Sequence, residues 1–237
     1  MSRCLIILAV LLAVPLKSFA AISFDRTRII YNEDSESVAL KIKNENQKLP
    51  YLAQVWIEDE NGKKDENHFG VVPPIQRVEP SDSSFVRLLA NQLNSNKLPK
   101  DRESVFYFNL REIPPKSDKP NTLQIALQTR VKLFYRPQGI YSASKQVWQE
   151  ALLINDTNGK FTVSNNSPFN VTIVAFGFDG NWDENSTPFM IAPFSEKTFD
   201  KAYSSVSKFE YVYVNDYGGK PTASYSKKNG KFIIDSK

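Results

Sequence analysis

Hydrophobic and polar residues alternate along most of this chain with a period of two, which predicts strands rather than helices. In the first half the strand-like segments are ISFDRTRIIY, SVALKIKN, YLAQVWIED, FGVVPPIQRVEP, SSFVRLLA, SVFYFNLRE and TLQIALQTRVKLFYRP. Turn residues such as Asn61-Gly62 and Pro80-Ser81 separate these runs, at the spacing of an immunoglobulin-like sandwich. In the second half VWQEALLI, KFTVSN, NVTIVAFGF, PFMIAPF, KTFD, FEYVYVND and KFIID repeat the style with weaker alternation and predict a second, smaller sandwich. No segment has a convincing helical period, so the predicted fold class is all-β, with two immunoglobulin-like β-sandwich domains.

The segment from Thr122 to Pro137 stands apart. Leu123, Ile125, Leu127, Thr129, Val131, Leu133 and Tyr135 share one face, and the even positions from Gln124 to Lys132 are polar apart from Ala126. Such a ribbon would run for roughly fourteen residues where about five or six are usual. Val131 and Leu133 are explained as part of the strand's own core. Leu123, Ile125 and Leu127 are not, because one sandwich is too short to cover them.

The opening MSRCLIILAVLLAVPLKSFA has an early Arg3, an apolar run from Leu5 to Leu16, and Ser18 and Ala20 at the small-residue positions of an export cleavage site. It predicts a signal peptide over residues 1–20, followed by an N-terminal domain over 21–140 and a C-terminal domain over 141–237. The apolar run is too short for a membrane span and no other run is longer, so no membrane insertion of the mature chain is expected. RPQGIYSAS, Arg136 to Ser144, has the composition of a hinge.

Losing the leader removes Cys4, so packing rather than disulfides must hold an exported, cysteine-free chain. Losing Arg3 and Lys17 brings the net charge from +4 to +2, which gives no indication of nucleic-acid binding. His68 is the one histidine, read as a solvated loop side chain. No metal site, no Ser-His or Cys-His nucleophile and no phosphate-binding glycine loop is present in the pattern, so neither an enzyme nor a cofactor is expected. The adjacent carboxylates Glu33-Asp34, Asp59-Glu60 and Asp65-Glu66 read as solvated turns or strand ends.

Six stretches, ISFDRTRIIY, LPYLAQVWIEDENG, PPIQRVEP, LPKDRESVFYFNLREIPPKS, LQIALQTRVKLFYRP and NDYGGKP, occur in an order that resembles the periplasmic pilus chaperone family. The resemblance spans the first domain and thins in the second. It implies two domains in a boomerang, pilus subunits and an outer-membrane usher as partners, and strand donation with Leu123, Ile125 and Leu127 as groove-filling knobs. It further implies that Arg28 and Lys132, otherwise ordinary surface cations, clamp the subunit's C-terminal carboxylate in the interdomain cleft without holding the fold. Glu103, Arg136 and Asp216 match the family's buried interdomain charge network. Pro73-Pro74 matches a proline pair in which one bond can be cis, a plain edge-strand turn being the other reading. An unoccupied ribbon predicts a weak homodimer of the free chain. The chain departs from the family's P-pilus member at SYSKKNGKF, where that member has a cysteine pair. A secreted immunoglobulin-like binding or adhesion module fits signal, size and strands equally well, but does not call for DRTR and TRVKL together.

Overall fold

The computed structural model describes residues 21–157, 160–199 and 206–235, so the leader expected over 1–20 lies outside the described residues. Nine strands build the first half: β1 (Ile22–Phe24), β2 (Arg28–Asn32), β3 (Val38–Asn44), β4 (Tyr51–Glu58), β5 (Phe69–Val72), β6 (Ile75–Val78), β7 (Ser83–Ala90), β8 (Ser104–Ile113) and β9 (Gln128–Arg136). They form one sheet in the order β1-β3-β7-β5 and a second in the order β2-β9-β8-β4-β6. The alternation read in the sequence fills the space between them: Leu40 and Ile42, Val55 and Ile57, Val86 and Leu88, Phe106, Phe108 and Leu110, and Leu133 and Tyr135 point into one core. Phe24 stacks on Phe108 with centroids 5.0 Å apart. The chain passes from one sheet to the other between β5 and β6, across Pro73-Pro74, and the Val72–Pro73 bond is cis.

Nine further strands follow: β10 (Leu153–Thr157), β11 (Lys160–Asn165), β12 (Val171–Phe178), β13 (Asn181–Trp182), β14 (Phe189–Ile191), β15 (Ser195–Phe199), β16 (Lys208–Tyr213), β17 (Thr222–Lys228) and β18 (Lys231–Ile234). One sheet runs β10-β11-β15 and the other β13-β12-β16-β17-β18, with β14 also on β12. Phe161, Phe169, Ile173, Phe209 and Tyr211 lead a separate, aromatic core. SYSKKNGKF, where no cysteine staple exists, is the β17–β18 hairpin. Asn229 and Gly230 both have positive φ, 51° and 78°, as a tight two-residue hairpin turn demands, and Phe232 packs on Phe161 at 5.6 Å.

The structure corrects the local reading in four places. The ribbon is a strand only from Gln128; Leu127 still accepts from the Glu112 amide at 3.0 Å, but Thr122–Ala126 is in no ladder, because beyond the end of β8 no neighbouring strand is present to satisfy its backbone. One helical turn does form at Gln92–Ser95, where Asn91 accepts from the Leu93 amide at 3.2 Å. VWQEALLI is a 3-10 turn at Trp148–Glu150 followed by β10, since Trp148 turns inward onto Phe169 at 4.3 Å. His68 is only partly solvated: it rests against Phe106 at 5.4 Å and its Nδ1 lies 2.9 Å from Asp65, whose carboxylate also receives the His68 and Phe69 amides. Among the described residues no helix is long and apolar enough to cross a membrane.

Candidate functional site

β9 has two edges, and they are not equally covered. On one side β8 pairs along it from Gln128 to Tyr135. On the other, β2 runs parallel and pairs only from Lys132 to Arg136, with Arg28 opposite Lys132. Residues Gln128–Val131 therefore keep one edge without a strand among the described residues, and Leu123–Leu127 continues from it outside any strand, its last tie to β8 being the Glu112 amide, which donates to the Leu127 carbonyl at 3.0 Å. Its apolar side chains face water: Leu123 is 84%, Ile125 65% and Leu127 45% exposed. Past the half-buried Thr129, the residues on the same face, Val131, Leu133 and Tyr135, are core. A single alternating run thus changes from solvent-facing to buried near Gln128.

The free edge ends at two cations. In β2, Ile29 and Tyr31 face the core, so Arg28 points to the opposite face, and Lys132 beside it does the same. Arg28 is 7% exposed, buried where its residue type alone would suggest a surface cation. Its Nη1 donates to the Val214 carbonyl of the second domain at 2.9 Å, its guanidinium lies 5.7 Å from the Phe134 ring centre, and its Nε is buried with no partner. Lys132 is half-buried and makes no ion pair among the described residues. Burial lowers the pKa of both, and for Lys132 the nearby charges of Arg28 and Arg130 lower it further. Two undersolvated cations side by side favour an anion. Arg28, Ile30, Asn32, Arg136, Asp216 and Tyr217 line a cleft of about 500 Å³. Lys132 is not on its wall but lies beside Arg28, on the side of the free edge.

Behind the cleft the three residues of the expected charge network meet. Arg136 gives Nε and Nη2 to Glu103 Oε1, at 3.0 and 2.8 Å, and Nη1 to Asp216 Oδ2 at 2.9 Å. Glu103 Oε2 receives the Asn170 amide and Nδ2 at 2.9 and 3.1 Å, and the Glu103 amide donates to the Pro168 carbonyl at 2.9 Å. Burial pushes the Glu103 carboxyl up; Arg136 also loses water, yet Asp216 and Glu103 raise its pKa. Four donated hydrogen bonds decide for the charged pair. Asp216 is delivered by a turn that only glycine permits: at Gly218, with φ of 83°, a Cβ would lie 2.5 Å from Thr27 Oγ1.

Comparison with known proteins decides the family. Residues 21–141 match the family described as "Pili and flagellar-assembly chaperone, PapD N-terminal domain", and residues 147–225 match "Pili assembly chaperone PapD, C-terminal domain". Chaperone protein PapD of Escherichia coli is 45% identical over 209 residues, which is 87% of this chain and 86% of PapD. The chain belongs to the pilus-assembly chaperone family. The crystal structure of the periplasmic chaperone SfaE, 27% identical, superposes with a TM-score of 0.69 over 90% of this chain and 98% of SfaE. SafB, solved in complex with the Salmonella enterica SafA pilin, is 22% identical and shows the same fold, with a TM-score of 0.72 over 89% of this chain and 98% of its own.

Several contacts of this pilus chaperone escaped sequence reasoning. Asn170, Pro168 and Val214 bind Glu103 and Arg28 largely through backbone atoms, which leave no residue-type signature. Glu33 and Asp34, read as solvated, make contacts across the interdomain linker.

Proposed function

We propose that this chaperone caps pilus subunits in the periplasm by lending them the Leu123–Val131 ribbon as a strand, and delivers them to an outer-membrane usher. The observation that carries the reading is the half-paired β9: an apolar, hydrogen-bonding edge that stops at Arg28 and Lys132. An added strand gains main-chain hydrogen bonds regardless of its sequence, and Leu123, Ile125 and Leu127 enter its groove. β2 blocks further travel, so the strand must end beside Arg28. For its terminal carboxylate to meet the two cations there, it runs parallel to β9, in line with β2. A period-2 ribbon can slip by two residues without changing face; the clamp removes that freedom. The leader over 1–20 takes the chain across the inner membrane, and the domains divide near residue 140. With no subunit bound, the same edge pairs weakly with a second copy.

Co-expression with pilins and isolation of a one-to-one periplasmic complex tests this reading. Charged hydrogen bonds contribute about 1.5 to 3 kcal/mol each, so Lys132→Ala weakens capture at least roughly tenfold and leaves melting unchanged. Arg28→Ala weakens capture and also loses the Val214 bond between the domains. A pilin lacking its final residues reproduces the defect without either change. Full capture by Lys132→Ala removes the clamp.

A further inference from the structure

The Glu33-Asp34 pair is the turn at the end of β2, with Asp34 exposed, but both of its carboxylates are engaged. The Glu33 side chain is 23% exposed. Its amide donates to the Arg136 carbonyl at 2.9 Å; one carboxylate oxygen receives the Lys100 ammonium and the other the Gln138 amide at 2.8 Å. Asp34 accepts the Tyr141 hydroxyl at 2.8 Å, and that hydroxyl oxygen lies 3.3 Å from the Asp34 amide, which donates to it. Gln138 opens the 3-10 turn of the linker and Tyr141 caps it, and between them Ile140 is 6% exposed and belongs to the aromatic core of the second domain. One helical turn is thus held from the first domain by two carboxylates and from the second by its buried isoleucine. There is little slack: a Cβ at Gly139 would lie 3.1 Å from the Lys100 carbonyl oxygen.

We infer that Glu33 and Asp34 are a latch on the interdomain linker and act as positioning residues for subunit capture, fixing the angle at which the second domain presents Val214 and Asp216 to Arg28 and Arg136. The segment read as a hinge is, in this geometry, a fastened joint. Two attachments act on the joint, the charge network on Arg136 and the latch at Gln138 and Tyr141 just beyond it, and two points constrain rotation where one would leave a pivot. The inference rests on the capture function proposed above.

The test uses the full chain carrying Glu33→Ala with Asp34→Ala, compared with Glu33→Gln, which keeps an acceptor for Gln138, and Tyr141→Phe, which removes one hydroxyl. Residual dipolar couplings measure the domain angle, amide exchange reads Gln138, and capture of a co-expressed pilin reads function. The double variant is expected to keep both domains folded, exchange Gln138 at least tenfold faster, broaden the interdomain orientation and reduce capture severalfold, with Glu33→Gln restoring most of each. Should the double variant fail to fold, Tyr141→Phe carries the test with a smaller shift in the same direction. Couplings and exchange matching the unaltered chain overturn the latch; a loosened joint with undiminished capture overturns its positioning role. Normal capture by Lys132→Ala in the same assay would instead remove the capture reading on which the inference stands.

Discussion

Ile125 and Leu133 occupy the same face of one alternating run, eight residues apart, yet the structure leaves them in opposite environments. Leu133 is 0% exposed and Ile125 65% exposed. Fully burying such a side chain contributes about 1.5 to 3 kcal/mol, so covering the exposed two-thirds of Ile125 on capture is worth about 1 to 2 kcal/mol. The exposed parts of Leu123, Ile125 and Leu127 together amount to about 3 to 6 kcal/mol on the same scale. Ile125→Ala should therefore weaken pilin capture roughly 5- to 30-fold while its thermal melting stays that of the unaltered chain. Ile125→Asp adds the cost of placing an unpaired carboxylate in an apolar groove and should abolish capture. Leu133→Ala should do the reverse, lowering stability by about 2 to 5 kcal/mol. Melting by circular dichroism and titration with a purified, denatured pilin separate the two effects. If Ile125→Asp unfolds the chain as Leu133→Ala does, the ribbon is core and the reasoning fails.

Three further outcomes follow from the same geometry. Glu103→Ala leaves Arg136, whose side chain is 7% exposed, as a buried charge with Asp216 as its remaining carboxylate partner; calorimetry should show a loss of about 3 to 5 kcal/mol, and unaltered melting would contradict the network. Partial burial pushes the Glu33 carboxyl up, but hydrogen bonds from Lys100 and Gln138 hold it below its ordinary 4.5. Its contribution is thus present above that value and lost as the pH falls through the depressed one, so the difference in melting between the chain and Glu33→Gln should close in acid, and a gap that persists there refutes the assignment. The free chain should sediment as a weak dimer at high concentration and as a monomer when it carries Ile125→Asp; equal behaviour of the two places the contact elsewhere.

The core of both sandwiches was legible because burial imposes a period of two: Leu40, Ile42, Val55, Ile57, Phe108 and Leu133 are buried where alternation puts them. The turn at Asn229-Gly230 was equally open to reading, since its backbone angles suit few residues. The ribbon was half legible. Its apolar face is in the pattern, but whether Leu123–Leu127 forms a strand depends on a neighbour that this chain does not supply. Trp148 was misread because an apolar residue before a strand looks like part of it, whereas the indole turns inward onto Phe169. The charge network is visible only through resemblance: Glu103, Arg136 and Asp216 are scattered in sequence and no local pattern joins them. The contacts of Arg28 and of the Glu33-Asp34 pair were missed for one reason, that their partners are main-chain groups or distant side chains at Val214, Gln138 and Tyr141.

The central claim is that a subunit strand adds to the free edge of β9 and stops at the clamp. Amide hydrogen exchange on the chaperone with and without bound pilin tests it residue by residue. In the free chain the amides of Leu123–Leu127 should exchange quickly, and those paired to β2 or β8 slowly. On capture, protection should rise from Leu123 through Val131 and remain unchanged beyond Lys132, where β2 already occupies the edge. Unchanged exchange over Leu123–Val131 in the complex, or new protection confined to another strand, contradicts the account.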